Sequence, residues 1–90
     1  MNMNIPEYWT GLTPRQRLND AIHAYAKANR LDYRQAWRHF EKIYSLTYRI
    51  DVRAERRLYA EKNGILPTIP VWFEMGGLMD RAITLARQMP

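Results

Sequence analysis

The chain has no cysteine, which excludes a disulfide framework and any thiolate metal site. A domain this small in an oxidising compartment would lean on disulfides, so their absence points to a reducing cytosol. Long apolar runs are missing too. Nothing approaches the ~20 residues that cross a bilayer, and the opening MNMNIPEYWTGLTP has neither the charged start nor the apolar centre of a leader. The expectation is a cytoplasmic protein without a membrane span.

Groups that do chemistry are equally sparse. The two histidines, His23 and His39, sit on different segments with no cysteine to join them, so no metal site is expected. Ser45 is the sole serine and lacks a Gly-x-Ser-x-Gly setting. Gly76-Gly77 is an isolated pair with no lysine after it, unlike a phosphate-cradling loop. Asp51 and Glu55 stand four apart, as an acid–base pair could, but they lie among Arg49, Arg53 and Arg56 and read as a helix cap and surface ion pairs. The reading is of no enzyme, no metal and no cofactor.

What is present is apolar and aromatic residues on a basic background. Ninety residues, 47% of them hydrophobic, suit one small domain. Three Trp, six Tyr and two Phe cover a large area per buried ring. Residues 1–12 read as an irregular arm in which Tyr8 and Trp9 fold back. Residues 13–90 read as a single helical domain.

Helix signals then follow in order. Thr13, Pro14 and Gln16 make a capping box with proline at the first helical position, which predicts a helix over 14–29 with Leu18, Ala21, Ile22, Tyr25 and Ala28 inward. Asp32 and Gln35 repeat the box, opening a second helix from 33 to 46 or 48. On it Tyr33, Trp37, Phe40 and Tyr44 share one face, and Arg34, Arg38 and Lys42 recur at four-residue steps on the other. The aromatics are expected in the core rather than as a base-stacking platform. A bend is expected over 45–49. Asp51 then caps a third helix over 52–62 that Asn63-Gly64 closes. Its apolar positions form no clean stripe, so it is either buried on two sides or a contact surface. Residues 65–70 carry two prolines and read as extended, before a short turn at 71–75 and a last helix over 78–88. The fold class is all-α: a compact bundle of four to five short helices.

The formal net charge is +5, and most of it comes from one stretch. Between residues 30 and 62 nine basic residues face five acidic ones, and seven of the nine are arginine. Arginine's planar fork suits bidentate contact with phosphate or carboxylate. Arg34, Arg38, Lys42, Arg49, Arg53, Arg56 and Arg57 are therefore the candidate contacts for nucleic acid or an acidic partner. The alternative is a solvated face laced with intrahelical Glu–Arg pairs. Trp72 and Phe73, side by side between proline and glycine, read as a core plug or, if exposed, as a protein-docking patch or homodimer interface.

The run Tyr33-Arg34-Gln35-Ala36-Trp37-Arg38-His39-Phe40, then Tyr44, then Arg49-Ile50-Asp51-Val52-Arg53-Ala54, resembles the small helical C-terminal domains of phage antirepressor and regulatory proteins, the ORF6C type. Trp72-Phe73-Glu74-Met75-Gly76-Gly77-Leu78-Met79 is similar to the ending some such domains carry. The resemblance implies a phage or prophage origin, a regulatory role in the bacterial host cytoplasm, and no catalytic residues to carry over. Two functions follow as expectations. The first is a phage-type regulator binding nucleic acid, DNA before RNA, through the basic face of helices two and three. The second is a non-enzymatic inhibitor or adaptor that occupies an acidic or nucleic-acid-binding face of a host protein.

Overall fold

In the computed structural model, which describes residues 7–90, each helix starts where a side chain can satisfy its orphan N–H groups, α5 excepted. Helix α1 spans Pro14–Ala28, α2 Tyr33–Tyr48, α3 Val52–Asn63, α4 Ile69–Met75 and α5 Met79–Gln88. Thr13 and Gln16 form the expected reciprocal box at α1, and Asp32 and Gln35 do so at α2. Asp51 accepts from the Ala54 N–H at α3, and Thr68 from the Val71 N–H at α4. Gly64 closes α3 at φ +77°, a left-handed position where glycine carries no Cβ penalty. No strand occurs among the described residues. The fold is all-α.

Several boundaries differ from the sequence reading. Residues Glu7–Gly11 form a single 3-10 turn rather than an irregular arm. Trp9 within it is buried, its indole N–H donating to Asp20 Oδ2 at 2.6 Å and Arg87 lying over its ring. The side chain of Tyr8 lies outside the described residues. The bend expected over 45–49 falls at Arg49: α2 runs on to Tyr48, whose ring packs on Tyr44 at 4.6 Å beneath the Arg81 guanidinium. Ile69 is helical although it precedes Pro70. The Thr68 cap supports that turn, and the proline's missing N–H would have been an orphan there anyway.

Helix α1 packs chiefly on α5 and α2. Ala21 and Ala26 of α1 and Ala82 and Ala86 of α5 are buried; small side chains of this kind let helix backbones approach closely. Of the stripe expected on α1, Ala28 is exposed and Ala26 is inward instead. The centre is aromatic: Phe40, Tyr44 and Phe73 are fully enclosed, with ring centroids 4.5–6.1 Å apart. Phe73 is thus the plug of the core and unavailable as a docking anchor. Trp72 is half-buried against it.

The Tyr44 hydroxyl is enclosed with no hydrogen-bond partner among the described residues. Burial pushes its pKa above the usual 10.0, and nearby Arg81 opposes the shift. A phenol whose folded pKa exceeds its unfolded one contributes stability that is whole below about pH 10 and is lost as pH rises through the folded value. Tyr44→Phe is expected to hold or gain stability at neutral pH, by up to about 1 kcal/mol, and to flatten the alkaline loss. Urea unfolding of both proteins at neutral pH and above pH 10 checks this.

Candidate functional site

Helix α3 is the least embedded long helix. Its main packing partner is α2, and Val52 is its one buried side chain. Burial on two sides is therefore ruled out; Leu58 and Tyr59 are exposed. Two sets of hydrogen bonds fix how α3 lies on α2. At the corner, Ser45 Oγ donates to the Glu41 carbonyl and accepts the Val52 N–H, so this serine joins the two helices. Further along, Arg56 Nη1 donates to Glu41 Oε2 at 2.7 Å, and its Nε donates to the Pro67 carbonyl at 3.0 Å. That pair is largely withdrawn from water, with side chains 15% and 12% exposed.

This register opens a cleft between α2 and α3. One part, of about 240 Å³, is lined by Arg38, Glu41, Arg53, Arg56, Arg57 and Leu66. The adjoining part, of about 320 Å³, is lined by Arg38, Glu41, Lys42, Ser45, Asp51 and Arg53. Five of the seven candidate cations thus converge. Arg34 lies one turn before Arg38 on the same face of α2, and Arg49 stands at the helix exit. Their employment differs. Arg56 is a bracket holding α3, not a free cation, and so is corrected from contact residue to positioning residue. Arg34, Arg38, Lys42, Arg49, Arg53 and Arg57 are exposed and enter no ion pair among the described residues.

The pairs of a merely solvated face do not form. Over residues 30–62 the ion pair that forms, Arg56–Glu41, links separate helices, as Arg15–Glu74 does elsewhere. Of the two acids in the cleft, Glu41 is neutralised by Arg56, and Asp51 is engaged as the α3 cap. With five cations against two carboxylates, the cleft keeps a formal surplus of three positive charges to offer a ligand.

Arg49 adopts φ +54°, a left-handed conformation that costs a non-glycine residue about 1 kcal/mol. Glycine would relieve it, so Arg49→Gly is expected to raise stability by about 0.5–1 kcal/mol while removing one cation. Thermal unfolding checks the first effect; a lower melting temperature would mean that Arg49 makes a stabilising contact.

The aromatic row on α2 is less enclosed than its spacing suggested. Phe40 and Tyr44 are core, but Trp37 is half-buried and Tyr33 is 39% exposed. No group of three or more His, Cys, Asp or Glu able to hold a metal occurs among the described residues, and none of their helices is long and apolar enough to cross a membrane. Both histidines make ring contacts instead, His23 with Tyr33 and His39 with Tyr25. Comparison with family models, characterised proteins and solved structures finds no match to this chain.

Proposed function

We propose that this protein binds nucleic acid through the cleft between α2 and α3, mainly by phosphate contact. The observation that carries the reading is the convergence of four cations, Arg38, Lys42, Arg53 and Arg57, on a cleft whose two acids are already engaged. None of the four enters an ion pair among the described residues. Arg34 and Arg49 extend the array at its ends. Arginine forks so placed bind phosphate bidentately and fix register without reading sequence. The reading includes a regulatory, DNA-directed role of phage type in a bacterial host cytoplasm; what supports that part is the resemblance to antirepressor domains.

A second reading, an adaptor or inhibitor seated on an acidic host-protein face, is favoured by one observation. Leu66 lines the cleft and is 54% exposed, and neighbouring Ile65 is 71% exposed. An apolar edge beside cations suits a protein partner. Backbone-amide NMR shifts on adding a random-sequence oligonucleotide at low salt separate the two. Nucleic-acid binding predicts shifts concentrated on α2 and α3, with the α1–α5 side unmoved. No shifts, or shifts confined to the α1–α5 side, would overturn the first reading and leave the second.

A further inference from the structure

Next to the basic cleft lies a second, open cavity of about 420 Å³, within the roughly 300–1,000 Å³ range of small-molecule sites. Its walls are Tyr33 and Trp37 of α2 and Ile69 and Pro70 at the start of α4; Asn19 and Thr68 supply polar edges. Arg56 lines this cavity and the cleft alike. We propose that the cavity receives one unpaired base of a single strand whose backbone runs over the basic cleft. The inference rests on the nucleic-acid reading and narrows its ligand to single-stranded DNA or RNA.

The lining fits a base in both its parts. A base needs apolar or aromatic surface for its faces and a few hydrogen-bonding groups for its edge. Trp37 meets Phe40 and Tyr33 edge to face, at 5.9 and 6.2 Å, and the core leaves both Trp37 and Tyr33 partly uncovered. Tyr33 is held in place, because its hydroxyl donates to Asn19 Oδ1 at 2.9 Å. That bond takes the Asn19 carbonyl and leaves its NH2 as a donor. The Arg56 guanidinium, pinned by Glu41 and Pro67, makes a fixed divider between an aromatic pocket and a cationic track. Alternating base and phosphate along one strand matches that alternation. An apolar peptide side chain would fill the pocket equally well but satisfies the adjoining cations only where acidic residues flank it, whereas every nucleotide carries its own phosphate.

A duplex cannot use the pocket without flipping a base out of its stack, an added cost that single strands largely avoid. The expected result is binding to a single strand about 5- to 100-fold tighter than to the matching duplex at one salt concentration. The same strand made with abasic positions should lose that margin. Tyr33→Ala should lose it too, with thermal unfolding confirming the fold, whereas Tyr33→Phe, which keeps the ring, should retain it. Equal affinity for normal and abasic strands would overturn the inference and leave the cleft reading standing. Quenching of tryptophan fluorescence by a free mononucleotide, with normal and abasic strands bound alike, would assign the pocket to free nucleotides and equally overturn it. Failure of strand and duplex to bind at low salt would remove the underlying reading as well.

Discussion

Replacing Arg56 by alanine is expected to cost about 2–3 kcal/mol of folding stability. Breaking a fully buried ion pair by removing one partner costs about 3–5 kcal/mol, because the remaining charge is stranded away from water. Arg56 and Glu41 keep 15% and 12% exposure, so some hydration of the orphaned carboxylate discounts that figure. The Pro67 carbonyl loses its donor at the same time. Little else holds α3, whose single buried side chain is Val52 at its first turn. The loss should therefore appear as early fraying of α3, visible as amide exchange there ahead of the rest. Arg56→Lys should rescue poorly, since an ammonium cannot reproduce the fork that reaches two acceptors. Arg56→Met with Glu41→Leu should recover most of the stability, because an apolar pair strands no charge. Chemical denaturation of the set measures all three; a cost below about 0.5 kcal/mol for Arg56→Ala would place the anchor of α3 elsewhere.

Reversing the charge at Arg38 and Arg53 together is expected to weaken nucleic-acid binding at least about 50-fold near 0.1 M salt. Each phosphate neutralised on a duplex contributes about 0.9 to the slope of log K against log salt. Leaving two phosphates without their arginines therefore costs close to two powers of ten at about 0.1 M relative to about 1 M salt, and the added repulsion deepens the loss. Both side chains are exposed and outside any ion pair among the described residues, so the fold should be unaffected, within about 0.5 kcal/mol. That separation of binding from stability distinguishes them from Arg56, whose loss should weaken binding only by releasing α3 and with it Arg53 and Arg57.

The parts legible in the sequence were those set by residues three or four apart. The boxes Thr13–Gln16 and Asp32–Gln35, the Asp51 cap and the Gly64 stop each act within one helical turn, so spacing alone located four helix ends. The arginine row of α2 was legible for the same reason. What escaped depends on contacts between distant residues. Glu41 and Arg56 are 15 positions apart, and nothing local says that this arginine is a bracket while Arg53 and Arg57 stay exposed. The end of α2 at Tyr48 was one of the two expected, but the bend expected over 45–49 is confined to Arg49, and the Arg81 guanidinium of α5 that covers the Tyr48 ring is a contact that no local spacing signals. The opening beside Tyr33 and Trp37 exists because the segment from Thr68 to Pro70 passes beside them. A periodic stripe marks the inward face of a helix, but its neighbours decide how far that face is covered.

Binding to a labelled random-sequence duplex across a salt series, for the native chain and for the Arg38→Glu, Arg53→Glu variant, tests the cleft most directly. Four cations in the cleft predict a slope of log K against log salt of about −3.5 for the native chain. In the variant the slope should be shallower by about 2. The same slope in both proteins, or absence of binding to duplex and single strand alike at low salt, would contradict a phosphate-tracking cleft between α2 and α3.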